Sequence, residues 1–302
     1  MFDKKLNKIV VTGGSGFVGS NTIPLLEKEG YKVFNYDLKE GYDIRNKQQL
    51  IDAIDSGDKV LHLAAIARFA EADADPLVAW ETNVLGTRNV AEVCEEMGAD
   101  RMVYSSTGSV YMPIDKEPPI TEDFSAKGNS VYGCSKYIGE QSIKQSLKEV
   151  PYVILRYAHL YGEGKVGHGA IGGFISRMER GMAPTLYGGK QSNDFTYVKD
   201  IALANLMALE APETALNDVY NIGTGEEIST EDCFNIMADR FGYHKEFEMF
   251  PARTVDPLRF VFDVKKAYEK FGFTAKYNFK DGLDDYIKGG SIPGWIDRDG
   301  KA

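Results

Sequence analysis

The sequence predicts an α/β fold, a doubly wound parallel sheet with a smaller, mixed C-terminal lobe. Three observations predict it. Through the first half, short β-branched runs alternate with longer helical patterns, as in a parallel sheet covered by helices on both faces. The runs are almost continuously apolar, as strands buried on both sides are. After Tyr161 the texture changes: residues 162–173 (GEGKVGHGAIGG) are glycine-rich, and shorter segments broken by Gly and Pro follow.

Taken in order, Lys8–Thr12 (KIVVT) reads as the first strand and Phe17–Glu29 as the first helix. Tyr31–Asp37 is the second strand, Gln48–Ile54 a helix, and Val60–Ala65 (VLHLAA) the third strand. A long helix is expected over Pro76–Met97, then a strand over Arg101–Ser106. Ser135–Lys148 reads as helix and Tyr152–Tyr157 (YVILRY) as strand. Residues 1–160 are expected to form the sheet domain, with the chain returning to it at about 194–222. Residues 161–193 and 223–302 would then form the lobe, and the tail from Gly289 a surface loop.

Composition narrows the function classes. A chain of 302 residues with 43% hydrophobic residues can bury a sizeable core, which excludes a disordered chain, a collagen and a coiled coil. No apolar run approaches the ~18–20 residues of a membrane span, and the charged first eight residues contain no signal-peptide core. The net charge of −10, without a Lys/Arg tract, argues against nonspecific binding to nucleic acid. Cys94, Cys134 and Cys233 form no C-x-x-C pair, and the histidines (His62, His159, His168, His244) are scattered. No disulfide framework and no metal site is expected, and a cytoplasmic location fits.

Residues 12–19 (TGGSGFVG) place G-x-x-G-x-x-G between a strand and a helix. Gly13, Gly16 and Gly19 permit a tight turn, close approach of a pyrophosphate and close helix–strand packing. The helix start at Phe17 and Val18 offers free N–H groups and a positive dipole end. This is a Rossmann-type dinucleotide site. Asp37 ends the second strand about 20 residues on, where a carboxylate accepts from the ribose hydroxyls and repels a 2′-phosphate. That favours NAD over NADP. An exposed strand-end charge is the plain alternative. Asp43 and Ile44 are placed to meet the adenine.

Tyr132 and Lys136, four apart, share a helical face. A phenol of ordinary pKa, about 10, is a poor base at pH 7, and a neighbouring ammonium favours its phenolate. The hydroxyl cluster Ser105-Ser106-Thr107-Gly108-Ser109 ends an intervening strand, where ligands of doubly wound sheets bind. A hydroxyl there can hold a substrate oxygen while Tyr132 removes its proton.

In this order and spacing TGGSGFVG, DI, HLAA, Asn83-Val84-Leu85-Gly86-Thr87, SSTGSVY and YGCSK resemble the extended short-chain dehydrogenase/reductase family. They are most similar to its nucleotide-sugar epimerase and dehydratase branch. The resemblance implies a catalytic set of Thr107, Tyr132 and Lys136, with Ser106 the rival to Thr107. It places Leu63, Ala64, Ala65, Asn83, Ser105, Ser106 and Tyr157 on NAD beside the residues named above. Residues 156–162 (RYAHLYG), 194–200 (DFTYVKD) and Arg253-Thr254-Val255-Asp256 resemble later family segments that meet the nucleotide sugar, Arg253 gripping its diphosphate. His159 stands where the family usually has Asn, and Asn193 where it commonly has Arg. Arg68 is a candidate to compensate.

Dehydratases of the branch continue the catalytic Thr with Asp-Glu, whereas Gly108 and Ser109 follow here. The expectation is therefore an NAD-dependent nucleotide-sugar 4-epimerase working through a 4-keto sugar. A dehydrogenase or reductase that releases its cofactor is the alternative, and a non-catalytic NAD-binding protein a more distant one. The resemblance also implies a homodimer, paired through the helix holding Trp80–Cys94 and the helix starting near Tyr132.

Overall fold

The computed structural model describes residues 8–114, 116–164, 169–243, 247–252 and 257–289. The chain begins β1 (Ile9–Thr12), α1 (Phe17–Lys28), β2 (Val33–Tyr36), α2 (Lys47–Ala53) and β3 (Lys59–His62). It continues α3 (Phe69–Ala74), α4 (Pro76–Trp80), a wide π turn (Glu81–Gly86), α5 (Thr87–Met97), β4 (Arg101–Thr107), α6 (Val131–Ser146) and β5 (Tyr152–Tyr157). Then come β6 (His159–Tyr161), α7 (Gly169–Glu179), β7 (Thr185–Tyr187), β8 (Ser192–Asn193), β9 (Phe195–Tyr197), α8 (Val198–Leu209) and β10 (Asp218–Ile222). The final elements are β11 (Ile228–Ser229), α9 (Thr230–Phe241), β12 (Glu248–Phe250), β13 (Arg259–Phe260), α10 (Lys265–Phe271) and α11 (Phe279–Lys288).

Six strands form one parallel sheet in the order β10-β5-β4-β3-β1-β2. The doubly wound expectation is met. The chain leaves β2 on one side of β1 and re-enters at β3 on the other, so a crevice opens beyond the carboxyl ends of β1 and β3. Burial alternates along each strand. Ile9, Val11, Leu61, Val103 and Leu155 face α1 and α8, while Val10, Val60, Met102, Tyr104 and Ile154 face α2, α5 and α6. A period of two with both faces apolar is why the strands read as continuous hydrophobic runs.

Three local differences from the sequence reading bear on the site. β3 stops at His62; Leu63 still donates its N–H to the Thr12 carbonyl at 3.0 Å, and the chain then passes the glycine turn, where a Cβ on Gly13 would lie 2.6 Å from the Ala64 backbone. α6 starts at Val131, four residues before the expected Ser135, since Ser130 caps it by accepting from the Gly133 N–H at 3.0 Å. Tyr132 therefore sits in the first turn. The helix over 76–97 is continuous, with its wide turn where Asn83 reaches sideways to accept from the Ile66 N–H (2.8 Å) and donate to the Ile66 carbonyl (3.0 Å) and Ser135 Oγ (2.9 Å).

The lobe has its own core, with Ile171, Phe174, Ile175, Leu186, Phe234, Met237, Leu283 and Tyr286 packed together. Its strands are short and belong to small separate sheets. α10 packs not there but back on β10, where Lys266 Nζ donates to the Val219 carbonyl at 2.9 Å and Ala267 joins the sheet core.

Candidate active site

A cleft of about 1540 Å³ runs along the carboxyl ends of the strands, between the sheet and the lobe. At one end the glycine turn leads into α1. Gly13 takes φ +72°, and a Cβ on Gly19 would lie 2.5 Å from Gly14, so the helix comes down on the turn only because both lack side chains. Gly16 supplies no capping side chain and α1 carries no acidic residue in its first turn. Gly16, Phe17 and Val18 line the cleft at this helix start, and a helix N-terminus there fits the pyrophosphate of a dinucleotide.

The carboxylate of Asp37, on the same wall, accepts from the Ser15 N–H at 3.0 Å and the Lys39 N–H at 2.9 Å. It thereby ties the glycine turn to the end of β2. Asp43 also lines the cleft, but its carboxylate is gripped by the Arg45 guanidinium at 2.7–3.0 Å, which holds it below the usual carboxylate range. Ile44, buried against Gly86, gives that end an apolar wall.

Leu63, Ala64 and Ala65 form the floor. Beneath them His62 is wholly buried between Thr12 (Nδ1 to Oγ1, 2.6 Å) and Thr87 (Nε2 to Oγ1, 2.9 Å). Burial drives its pKa well down, so the ring is neutral. Asn83 does not line the cleft; its bonds to Ile66 and Ser135 brace the floor against α6.

At the centre Thr107, Tyr132 and Lys136 converge. The Thr107 hydroxyl accepts from the Ser109 N–H at 3.2 Å, lies 3.2 Å from Ser109 Oγ, and stands beside the Tyr132 phenol, whose pKa it pulls down. Ser105 donates to the His62 carbonyl at 3.1 Å, and Ser106 is turned inward, donating to Glu140 at 2.5 Å. Between the rivals, Thr107 is the hydroxyl beside Tyr132. Tyr157, on the facing edge, donates its phenol proton to Asn205 at 2.5 Å.

Burial pushes the Tyr132 phenol up to about 12, against a downward pull from Thr107. Lys136 is 2% exposed, and its ammonium lies 4.1 Å over the Tyr104 ring. Burial brings it down to about 7, against the opposing pull of Glu140. The lysine can favour the phenolate only while it keeps its own proton.

On the lobe side, His159 in β6 and Asn193 in β8 both line the cleft, the imidazole edge-on to Phe260 at 4.8 Å. Arg68 lines it too, exposed and paired with Glu71 at 2.8 Å. Arg253 lies outside the described residues. Several lining residues carried no sequence signal. Phe69 meets the Tyr132 ring edge-on at 5.4 Å. Arg177 reaches the cleft from α7, its Nε donating to the Ala183 carbonyl at 2.6 Å. Tyr187 and Gln191 flank a turn whose glycines, Gly188 and Gly189, both have positive φ; that glycine pair was the one available clue. Among the described residues no cluster of His, Cys, Asp and Glu could hold a metal ion, and no helix is long and apolar enough to cross a membrane.

Residues 9–223 match the family described as NAD dependent epimerase/dehydratase. A protein of Methanocaldococcus jannaschii, provisionally named a UDP-glucose 4-epimerase, is 35% identical over 303 residues, covering 91% of this chain and 95% of its own. The Thermotoga maritima UDP-glucose 4-epimerase, solved with UDP-glucose, superposes with a TM-score of 0.86 at 29% identity, covering 94% of this chain and 99% of its own. The Bacillus cereus UDP-glucuronic acid 4-epimerase, solved with UDP-glucuronic acid and NAD, gives 0.82 at 29% identity, over 93% and 99%. A match of this extent settles membership: the chain belongs to the NAD dependent epimerase/dehydratase family, and NAD is its cofactor.

Proposed function

We propose that this protein is a nucleotide-sugar 4-epimerase that acts on a UDP-linked sugar through a transient 4-keto sugar. The observation that carries the reading is the meeting of Thr107, Tyr132 and Lys136 at the centre of a cleft with a dinucleotide end and a lobe end. The sheet domain would hold NAD and the lobe the nucleotide sugar. NAD supplies the hydride acceptor at C4 and the donor for the return. Thr107 holds the C4 oxygen, and Tyr132 Oη takes its proton as the carbonyl forms. The keto sugar turns in the cleft, and Tyr132 gives the proton back to the same oxygen on the opposite configuration. Lys136 holds the nicotinamide ribose and supplies positive charge beside the phenolate. His159, Asn193, Arg68 and Arg253 are the groups we assign to the sugar nucleotide.

Loss of water is disfavoured by shape. A Cβ on Gly108 would lie 2.3 Å from the Phe260 ring and 2.8 Å from Phe262, so the Asp of a dehydratase would have to displace both rings. A panel of UDP-sugars tests the reading: interconversion of C4 epimers without net NADH supports it. Steady NADH accumulation would favour the dehydrogenase alternative.

Two further expectations follow from the site. Asp37→Asn is expected to weaken NAD binding by roughly 10–100-fold, the scale of a charge-assisted hydrogen bond, and to narrow the advantage over NADP. Wild-type protein that bound NADP as tightly as NAD would contradict the role of Asp37. We also assign a homodimer, because Leu77 (67% exposed), Leu85 (54%), Trp80 and Ile138 are exposed on α4, the π turn and α6. Light scattering at micromolar concentration should give twice the 33.5 kDa chain mass, and a monomer would reject it. A cytoplasmic location suits the free thiols Cys94, Cys134 and Cys233.

A further inference from the structure

Directly behind Lys136 lies a fully buried ion pair that the chemistry above does not use. Glu140 is one turn further along α6 and has no exposed surface. Arg156, from β5, grips both its oxygens, Nε to Oε1 at 2.9 Å and Nη2 to Oε2 at 2.7 Å. Ser106 adds its hydroxyl to Oε1. The third guanidinium nitrogen donates to the Tyr111 phenol at 2.9 Å, which donates to Asn221 at 2.7 Å, which in turn donates to the Ile120 carbonyl at 2.8 Å. The chain crosses α6, β4, β5 and β10 and leaves Glu140 no freedom to move.

A buried pair of this kind is weak evidence for stability, since a hydrophobic replacement often serves as well. Its placement suggests another use. The ionisable groups around the Lys136 ammonium are Tyr132 and Glu140 on its own helix, Tyr104 on β4 and His62 on β3, with Arg156 beyond Glu140. Tyr104 offers a ring face and His62 is neutral, so Glu140 is the one negative charge in the set.

We propose that Glu140 is a positioning residue for the reaction: held by Arg156 and Ser106, its carboxylate keeps the charge on Lys136 beside Tyr132. The inference rests on the epimerase reading for its purpose, but not for its measurement. Glu140→Gln keeps the shape and removes the charge. The protonation midpoint of Lys136, read by NMR of its side-chain nitrogen and assigned with Lys136→Met, should fall by at least about one unit, the usual effect of a close opposite charge. The falling, alkaline limb of the kcat–pH profile, where Lys136 loses its proton, should move to lower pH, and kcat at pH 7 should drop about fivefold or more. Glu140→Asp, which restores the charge, should bring both back towards wild type.

A midpoint and limb that stay in place while rate falls evenly at all pH would overturn the proposal, as would a Glu140→Asp shift as large as that of Glu140→Gln. If Glu140→Gln fails to fold, Glu140→Gln with Arg156→Met removes the stranded guanidinium. Its Lys136 midpoint must still lie below wild type, and an unchanged value overturns the claim. The NMR titration needs no turnover, so a protein inactive on every UDP-sugar would sink the functional reading and leave this test intact.

Discussion

Tyr132→Phe is expected to lower turnover by roughly 10²–10⁴-fold, the scale of a lost general acid–base group, with NAD affinity almost unchanged. The ring stays, and with it the edge-on contact to Phe69 at 5.4 Å, so only the proton carrier is removed. The phenol needs help to act at neutral pH, because burial puts it at about 12 even against the pull of Thr107. Thr107 favours the phenolate by its place beside it. Thr107→Ala should therefore also reduce turnover, by less, and again without loss of NAD. Steady-state rates and an NAD titration on the same samples check both, and normal turnover in Tyr132→Phe would refute the assignment.

Lys136→Met should cost at least as much, roughly 10³-fold or more in turnover, together with weaker NAD binding. Methionine keeps most of the buried volume, whereas alanine at a site 2% exposed would add a cavity penalty and confuse the result. The sign of the pH effect is fixed by charge. Removing a positive group beside Tyr132 disfavours the phenolate, so the rising limb of the rate profile moves to higher pH. Glu140→Gln acts on the falling limb instead, where Lys136 loses its proton, and brings that limb to lower pH. A limb that did not move in Lys136→Met would show the lysine to be a ribose ligand and nothing more.

How much of this was legible in the chain depended on element length and on what the contacts join. β5, residues 152–157, was read to the residue, because an apolar run between turn signals has little alternative. β3 was overread because the apolar HLAA run continues where the strand does not; past His62 the Ala64 backbone lies against Gly13, a tertiary contact. α6 begins earlier than its periodicity predicts, because Gly133 and Cys134 weaken that periodicity and the start is set by the Ser130 cap. The lobe's strands, such as β8, β11 and β13 at two residues each, are too short for any period to show. The same division runs through the site. The glycine turn, Asp37 and the Tyr132–Lys136 pair are local spacings and were visible. Phe69, Arg177 and the Glu140–Arg156 pair come together only through the fold.

The most direct test follows the hydrogen at C4. A UDP-hexose carrying deuterium at C4 and incubated with the enzyme in ordinary water should yield its 4-epimer with the deuterium still at C4. Retention is predicted because a hydride taken up by NAD would return to the same carbon, while Tyr132 moves only the hydroxyl proton. Product that had lost its label to solvent would mean that C4 is deprotonated rather than oxidised, and would contradict the account.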